Sequence, residues 1–293
     1  MLKQKSGPIA HVESVYNDIF VARNQGVLSL TFQWKGWHFQ ESQINLTDPD
    51  DLPMLYARTA TIAAIYPQDL KRVLVIGLGG GAIPTYLGRF LPDATIDTVE
   101  LDPGVIDVAK KYFGVRETSK SRIFESDGRV FLNRHTEPYD LIIVDAFTGS
   151  YIPFHLMTKE FYQLVRNRLA PHGVAAFNIL PGTKLYDSNV RTLKTVFDHI
   201  DLYHSGGDDA VLVMAPNDLA PNDLAPSDPI VDNELLRQKA VAAQERYKFR
   251  FDVAKLAVDW RIETPKELKG DLLTDDFAPA NVYGTDGRRY RRK

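Results

Sequence analysis

The central part of the chain, from residue 71 to about 215, alternates short apolar runs with longer segments of mixed polarity. The apolar runs have the length and β-branched content of buried parallel strands, whereas the mixed segments are typical of helices. The predicted strands are Val73–Ile76, Thr95–Glu100, Arg122–Glu125, Tyr139–Asp145 and, as the last one, Val211–Met214. This alternation predicts an α/β fold with a doubly wound, Rossmann-like parallel sheet.

The N-terminal part of the chain follows a different pattern. Residues 11 to about 45 alternate apolar and polar positions and contain turn signals, which is typical of antiparallel hairpins. The segment Asp48–Pro53 is predicted to cap a helix that ends near Tyr66. We therefore divide the chain into an N-terminal β-hairpin unit with its connecting helix (1–66) and a Rossmann-like nucleoside-binding catalytic domain (67–293).

Two features distinguish the C-terminal part of the second domain. Two Pro-Asn-Asp-Leu-Ala units in tandem predict a surface linker over 216–229, because such units sustain neither a helix nor a strand. A C-terminal amphipathic helix is predicted over 232–249, and we expect it to pack on the sheet or on a partner subunit. Its predicted apolar positions are Leu235, Leu236, Val241 and Ala242.

A glycine cluster directly follows the first predicted strand. It spans residues 77–81 and precedes a predicted helix over 83–90. Glycine lets a backbone approach a ligand closely, and the N–H groups at the start of a helix point toward that ligand. The junction therefore predicts a site for a nucleotide-like molecule. By itself the spacing Gly77-x-Gly79-x-x-Ala82 also satisfies the dinucleotide fingerprint.

Three acids follow successive predicted strands at the carboxyl edge of the sheet, where open α/β sheets bind ligands. They are Glu100, Asp127 and Asp145. A dinucleotide enzyme needs the first acid alone, whereas a nucleoside that bears a sulfonium, such as S-adenosylmethionine (SAM), uses all three. Glu100 would then bind the ribose hydroxyls and Asp127 the adenine amino group, with Asp145 near the reacting centre. Asp127 and Asp145 are also suited to cap the following helices, and the two roles are compatible.

Composition narrows the possible chemistry. A net charge of −3 offers no general attraction for nucleic acid, and no apolar run reaches transmembrane length. The absence of cysteine excludes disulfides and thiolate chemistry and suits the cytoplasm. The seven histidines show no metal-type pairing, so we expect no metal site. We expect a cytoplasmic protein that binds neither nucleic acid nor a membrane.

As a set, the motifs between residues 11 and 215 resemble those of spermidine synthases, the polyamine aminopropyltransferases. The resemblance is carried by Val73–Gly81, Val99–Asp102, Asp127–Gly128, Tyr139–Asp145, Leu156–Tyr162 and Leu169–Val174. It implies a homodimer of the class I SAM-dependent methyltransferase fold that binds SAM or decarboxylated SAM. The implied nucleoside-binding residues are Gly77, Gly79, Gly80, Gly81, Glu100, Leu101, Asp127, Gly128 and Asp145.

The resemblance also reaches the acceptor side of the predicted site. Gln43 and Tyr56 resemble the family's glutamine and tyrosine before the glycine strand. An attacking amine with an ordinary pKa near 10 must lose a proton, and Asp145 is the candidate base. Tyr56 is expected to hydrogen-bond the amine, and Tyr151 with Phe154 to wall the pocket.

Three positions depart from the family. Spermidine synthases carry an aspartate at the position of Gly80, which holds the amino group of decarboxylated SAM, and a second one at Thr148. Their histidine or glutamine after the tyrosine is Ala57. Two acids near the C-terminus, Asp275 and Asp276, either fold back to replace the missing ones or form a helix-cap turn.

The sequence therefore predicts a divergent transferase that passes an aminopropyl group to an amine acceptor. A SAM-dependent methyltransferase remains as an alternative, because it would use the same fold and the same three acids. A non-catalytic nucleoside-binding protein is a second alternative, because Gly80 and Thr148 stand where the family has acids.

Overall fold

The computed structural model describes residues 6–34, 36–149, 151–182, 184–206, 210–217 and 233–277. Four of its strands form an antiparallel N-terminal sheet in chain order: β1 (Gly7–Glu13), β2 (Asp18–Asn24), β3 (Val27–Trp34) and β4 (Trp37–Asn45). The predicted hairpins are therefore confirmed. Ile19 and Leu30 of this sheet are fully buried, and they share one apolar cluster with Val105 and Ala109 of the second domain. The division at residue 66 stays a prediction.

The helical segment after the N-terminal sheet ends near Tyr66 as predicted, but its last part is a 3-10 turn and its cap differs. Helix α1 spans Leu55–Thr61 and continues into a 3-10 turn, Ile62–Ile65. Its N-cap is Met54, which makes no side-chain capping bond. The acid Asp51 instead accepts a 3.0 Å bond from Arg58. The predicted cap within Asp48–Pro53 is wrong, because the Asp51 carboxylate pairs with Arg58 and no side chain bonds the first N–H groups of α1.

In the described part of the chain, the second sheet has eight strands in the order β12-β10-β11-β9-β8-β5-β6-β7. They are β5 (Arg72–Ile76), β6 (Thr95–Glu100), β7 (Ser121–Glu125), β8 (Tyr139–Val144), β9 (Leu169–Ile179), β10 (Asp201–His204), β11 (Val211–Pro216) and β12 (Arg261–Ile262). Strands β5 to β9 are parallel, and the other three pair in antiparallel fashion. The doubly wound α/β fold is confirmed, although the sheet is mixed, and β12 rather than β11 is the last strand.

Helices cover both faces of this sheet. They are α2 (Ala82–Phe90), α3 (Pro103–Tyr112), α4 (Gly128–Arg134), α5 (Lys159–Arg166), α6 (Lys184–Lys194), α7 (Asn233–Tyr247) and α8 (Val253–Asp259). Val73 and Val75 of β5 pack on the side of α1, α2, α7 and α8, whereas Leu74 and Ile76 pack on the side of α5 and α6. Burial on both faces explains why β5 is an uninterrupted apolar run. No helix in the described ranges is long and apolar enough to cross a membrane.

Helix α7 packs on the sheet domain, but through a different face from the one predicted. Its buried residues Leu236, Ala240 and Ala243 recur at helical spacing. Leu235 and Val241 are 42% and 41% exposed, and Ala242 is exposed as well. Of the four predicted apolar positions, Leu236 alone faces the core. The small alanines form the contact surface, and the apolar pattern of the sequence understates them.

The predicted linker begins too early at residue 216. Pro216 ends β11 and pairs with Val174 of β9. Asn217 is 2% exposed, and its N–H group donates a 2.8 Å bond to the carbonyl of Gly173. Both residues therefore belong to the sheet and its edge. Residues 218–229 lie outside the described part of the chain.

Candidate active site

A cavity of about 690 Å³ lies at the carboxyl ends of β5, β6 and β8, with residues of β4 and α1 in its wall. Five carboxylates line it: Glu41, Glu100, Asp102, Asp127 and Asp145. No lysine or arginine is found among the described residues of its wall, and the two histidines there are His38 and His155. This concentration of acids at the ligand-binding edge of the sheet makes the cavity the candidate active site.

The glycine after β5 allows three strand ends to meet. Gly77 has φ +103°, and a Cβ atom at this position would collide with the carbonyl oxygen of Asp145. Its N–H group donates a 2.8 Å bond to the carbonyl of Val99, while Asp145 N–H donates a 2.8 Å bond to the carbonyl of Ile76. A side chain would separate these strand ends. Gly77 thus sets the position of Asp145 in the cavity wall.

The other glycines of the loop are divided between two cavities. Gly79 lines the large cavity, whereas Gly80 and Gly81 line a separate one of about 220 Å³. A Cβ atom at Gly80 would lie 2.7 Å from the ring of Phe113 and 2.9 Å from Ser42 Oγ. Packing therefore accounts for glycine at position 80. The predicted contacts of Gly80 and Gly81 with a nucleoside stay predictions.

Glu100, at the end of β6, faces the cavity and also fixes its surroundings. Its Oε2 accepts a 2.9 Å bond from Leu78 N–H in the glycine loop, and its Oε1 accepts a 2.9 Å bond from Asp102 N–H. Burial raises the pKa of Glu100, and these backbone bonds oppose that rise. Each carboxylate oxygen has a second lone pair for a ligand hydroxyl. Leu101 lines the cavity beside it, and both predicted binding roles stay predictions.

Asp127 is the N-cap of α4, which confirms its predicted capping role. Its Oδ1 accepts a 2.9 Å bond from Val130 N–H, and its Oδ2 lies 2.7 Å from His155 Nε2. Burial raises the pKa of Asp127, but the bonds from His155 and the backbone outweigh it and hold the pKa below its ordinary value. Asp127 and the adjacent Gly128 both line the cavity, so the predicted adenine contact stays a prediction.

Asp145 is not a helix cap, and that alternative is wrong. A loop follows β8, and Thr158 caps the next α-helix, α5, through a 3.3 Å bond from Phe161 N–H. Asp145 Oδ1 instead accepts a 2.8 Å bond from Asn178 Nδ2. Burial raises the pKa of Asp145 to about 6, although hydrogen bonds from Asn178 and Tyr56 lower it. The geometry thus leaves Asp145 available for a chemical role.

The sequence analysis missed Glu41, a cavity residue on β4. Tyr56 ties this strand to the site, because its hydroxyl lies 3.1 Å from the carbonyl of Glu41 and shares its single proton between that carbonyl and Asp145. Burial raises the pKa of the Glu41 carboxyl well above its ordinary range, and repulsion from Asp145 and Glu100 adds to the rise. The pairing of β4 with β3 shifts register between Gln40 and Ser42, so Glu41 is the extra residue of a bulge, and alternation along the strand gives no signal for the direction of its side chain.

The predicted acceptor residues are only partly brought together. Gln43 and Tyr56 line the cavity, and the Gln43 amide donates a 3.1 Å bond to Ser29 Oγ. Tyr151 and Phe154 are not part of the described wall. The carbonyl of Tyr151 instead accepts a 2.9 Å bond from Thr148 N–H, and Phe154 is 52% exposed. The predicted roles of all four side chains stay predictions.

The segment around Asp275 folds back onto the site's outer wall without adding an acid to the cavity. The carbonyl of Leu273 accepts a 2.8 Å bond from Lys159 N–H at the start of α5. Asp275 Oδ1 accepts a 2.7 Å bond from Arg129, which lowers the pKa of Asp275. Neither Asp275 nor Asp276 lines the cavity. This contact does not replace the acids missing at Gly80 and Thr148.

Comparison with known proteins decides the family. The family model described as Spermine/spermidine synthase domain matches residues 58–201. The polyamine aminopropyltransferase of Vibrio vulnificus is 31% identical over 280 residues, which cover 92% of this chain and 89% of that protein. The chain belongs to the spermine/spermidine synthase family. The predicted resemblance is thereby confirmed over nearly the whole chain.

Solved structures support the fold of this family member. A probable spermidine synthase from Corynebacterium glutamicum has a TM-score of 0.65 and 18% identity, with coverage of 91% of this chain and 100% of its own. Human Methyltransferase-like protein 13, solved in complex with SAH, has a TM-score of 0.57 and 24% identity, with coverage of 66% and 92%. Both likenesses confirm the α/β fold that this family shares with class I methyltransferases.

Proposed function

We propose that this spermine/spermidine synthase family member transfers an aminopropyl group from decarboxylated SAM to a polyamine-type amine acceptor. The relative from Vibrio vulnificus, similar over 92% of the chain, is named a polyamine aminopropyltransferase. One structural observation carries the proposal: the described cavity wall has five carboxylates and neither lysine nor arginine. Both proposed reactants are cations, and nearby cations stabilise ionised carboxylates.

The same wall favours decarboxylated SAM over SAM. SAM carries a carboxylate beside its ammonium group, and a like charge placed among acids costs binding free energy. Glu41 and Asp145 in particular already repel each other. Decarboxylated SAM lacks this carboxylate and keeps two positive charges, the sulfonium and the ammonium. The charge of the wall therefore supports an aminopropyl donor rather than a methyl donor.

The residues present fit a nucleoside donor. Glu100 is proposed to accept the ribose hydroxyls, and Asp127 with Gly128 to line the adenine end, where His155 already bonds Asp127. Gly77 and Gly79, which have no side chains, let the backbone line the cavity wall between the proposed ribose and adenine ends. The sulfonium of the donor supplies a carbon that is already activated for displacement. Most of the rate then comes from positioning the amine against that carbon.

Asp145 is proposed as the base that prepares the amine. An amine with an ordinary pKa near 10 is protonated at neutral pH, so it must give up a proton to attack. Asp145, with its pKa raised to about 6, is a stronger base than an ordinary aspartate and is still ionised at neutral pH. The amine nitrogen bonds to the propyl carbon as the carbon–sulfur bond breaks, the electron pair stays on sulfur, and the proton passes to Asp145.

Product analysis tests the proposal directly. The purified protein is incubated with decarboxylated SAM and a panel of diamines and triamines, and the nucleoside products are identified by mass spectrometry. We expect methylthioadenosine with at least one amine. S-adenosylhomocysteine formed from SAM would instead establish a methyltransferase. Measurable nucleoside binding with neither product would establish a non-catalytic binding protein.

We further propose that the protein is a cytoplasmic homodimer. The family resemblance supports the dimer, and the N-terminal sheet exposes Ile9 and Trp37, which are 38% and 57% accessible. Sedimentation at micromolar concentration tests the assembly. A single species at the 33.1 kDa of one chain would contradict it.

A further inference from the structure

Two hydrogen-bond acceptors in the cavity wall lack a partner. Glu41 Oε1 and Asn178 Oδ1 are both fully buried, and neither has a hydrogen-bond partner in the part of the chain that the structure describes. Both residues line the large cavity. A buried acceptor that makes no hydrogen bond is costly, and a carboxylate oxygen is among the costliest. Together the two oxygens are suited to a ligand that is rich in N–H donors.

No lysine or arginine of the described cavity wall neutralises Glu41. The acids that act on it are Asp145 at the end of β8 and Glu100 at the end of β6, and both repel it. The described wall of the cavity adds no lysine or arginine, and its basic side chains are His38 and His155. An ionised carboxylate in this position is stabilised only when a cation enters from outside.

The steric situation of the glycine loop explains why the carboxylate comes from β4. At Gly80, where spermidine synthases carry an acid, a side chain is blocked by Phe113 and by Ser42 Oγ. Position 148 is Thr148, which lines the cavity without a charge. The Glu41–Ser42 segment lies directly against the loop, since Ser42 Cβ is 3.4 Å from the Cβ position of Gly79. Strand β4 thus brings an acid to the loop that the loop itself lacks.

We propose that Glu41 binds the primary ammonium of the aminopropyl donor, with Asn178 Oδ1 as a second acceptor, and so replaces the acids missing at Gly80 and Thr148. The inference rests on the proposed function. A primary ammonium has three N–H donors, which can satisfy both oxygens. Asp145 must remain available to the attacking amine, so a separate acid is needed for the ammonium of the donor. Glu41 lies near enough to Asp145 and Glu100 to be repelled by both. It therefore lies near both the proposed base, Asp145, and the acid proposed to bind the ribose, Glu100.

Glu41→Gln tests the inference because glutamine keeps the size of the side chain and removes its charge. Calorimetry measures the binding of decarboxylated SAM and of methylthioadenosine, which has neither the ammonium nor the sulfonium charge. We expect affinity for decarboxylated SAM to fall roughly 10- to 100-fold, the range for a lost charged hydrogen bond. Affinity for methylthioadenosine should stay within about threefold, since none of its groups meets Glu41. That unchanged affinity also reports an intact fold.

A charge-matched control and a related ligand sharpen the test. Glu125→Gln removes an exposed carboxylate at the end of β7, outside the described cavity wall, and should leave both affinities unchanged. The amine S-adenosyl-3-thiopropylamine is decarboxylated SAM without the sulfonium charge, and it should lose affinity in Glu41→Gln like the full donor. Loss for the donor but not for this amine would assign Glu41 to the sulfonium and overturn the inference.

Binding and turnover separate the two proposals. Equal effects of Glu41→Gln on decarboxylated SAM and methylthioadenosine, including no effect on either, overturn the role of Glu41 even if the wild-type protein forms methylthioadenosine. Conversely, suppose that Glu41→Gln shows the expected selective loss but the wild-type protein forms no methylthioadenosine with any amine. That result overturns the proposed function and leaves Glu41 as the ammonium-binding acid.

Discussion

Two groups of acids inside this protein differ in what neutralises them. Asp97 on β6 and Asp201 on β10 are 1% and 2% exposed, and each bonds an arginine of the chain. Arg122 donates two bonds of 2.7 and 2.8 Å to Asp97, and Arg261 donates a 2.6 Å bond to Asp201. In the cavity, by contrast, Asp145 accepts bonds from neutral side chains only, among the contacts the structure describes.

The pKa values reflect this difference. Burial raises the pKa of Asp201, but His199, Arg261 and Tyr66 outweigh it, and the pKa lies below its ordinary value. For Asp145 burial prevails and the pKa rises to about 6. The chain therefore supplies counter-charges to Asp97 and Asp201, which support the fold, and withholds them from Asp145 and Glu41 in the cavity. Asp127 is the exception among the cavity acids, because His155 bonds it. A buried acid without a counter-charge lowers the stability of the fold and increases the affinity of the cavity for a cation.

The largest expected effect is on the chemistry of the cavity acids. Asp145→Asn keeps the shape and the contact with Asn178 but cannot take a proton. We expect turnover to fall by roughly 10²- to 10⁴-fold, the usual effect of losing a general base. Nucleoside affinity should stay close to that of the wild type. Methylthioadenosine release in single-turnover and steady-state assays measures the loss. Wild-type turnover in this variant would remove Asp145 from the mechanism.

The arginine-paired acids should instead affect folding. Asp201→Asn removes the carboxylate that neutralises Arg261, whose side chain is 12% exposed. We expect the free energy of unfolding to fall by about 3–5 kcal/mol, as when one partner of a buried ion pair is lost. Urea denaturation measures this change. Turnover per folded molecule should be unaltered, and a loss of turnover without a loss of stability would contradict the distinction between the two groups.

Glu100 shares features of both groups of acids, because it faces the cavity and also accepts hydrogen bonds from two backbone N–H groups of the fold. Glu100→Ala should weaken nucleoside binding by roughly 2–3 kcal/mol, as expected for lost charge-assisted bonds to two hydroxyls. Asp127→Ala should weaken it less, because backbone groups share the recognition of adenine. Calorimetry with methylthioadenosine checks both, and unchanged affinity in Glu100→Ala would exclude the ribose contact.

The smallest expected effect is a gain of stability. An acid whose pKa is raised from 3.8 to about 6 holds its proton more tightly when folded, so its contribution to stability falls as the pH rises between these values. Asp145→Asn avoids this loss and should be more stable than the wild type by about 1–3 kcal/mol at pH 8. The gain should shrink to about 0.5 kcal/mol near pH 4 and vanish at lower pH, where the carboxyl is protonated in both states. Denaturation at the two pH values measures it, and an equal gain at both would contradict the sign.

The sequence predicted the parts of the fold that depend on local pattern. Thr95–Glu100 matches the observed bounds of β6, because residues of a central strand are buried on both faces and polar residues follow directly. The acids predicted at the strand ends all line the cavity for the same reason. The end of a parallel strand is a fixed point, so the position in the sequence largely determines the position in the site.

The remaining features depend on contacts between distant segments. Glu41 reaches the cavity because β4 packs on the glycine loop, and Asn178 because β9 lies beside β8. His155 bonds Asp127 across 28 positions of the chain. No local pattern encodes these approaches. Tertiary packing likewise overrides composition at α7, where Ala240 and Ala243 are buried and Val241 is exposed.

The charge of the cavity wall also bears on how molecules arrive and leave. A recess lined by five acids focuses a negative potential toward its opening, and such a field accelerates the diffusional capture of cations. The field extends only about 8 Å at physiological ionic strength, so capture should slow as salt is added. Methylthioadenosine is neutral and gains nothing from this field. The negative wall thus attracts both cationic reactants but not the neutral product nucleoside. This difference favours dissociation of methylthioadenosine before the next donor molecule binds.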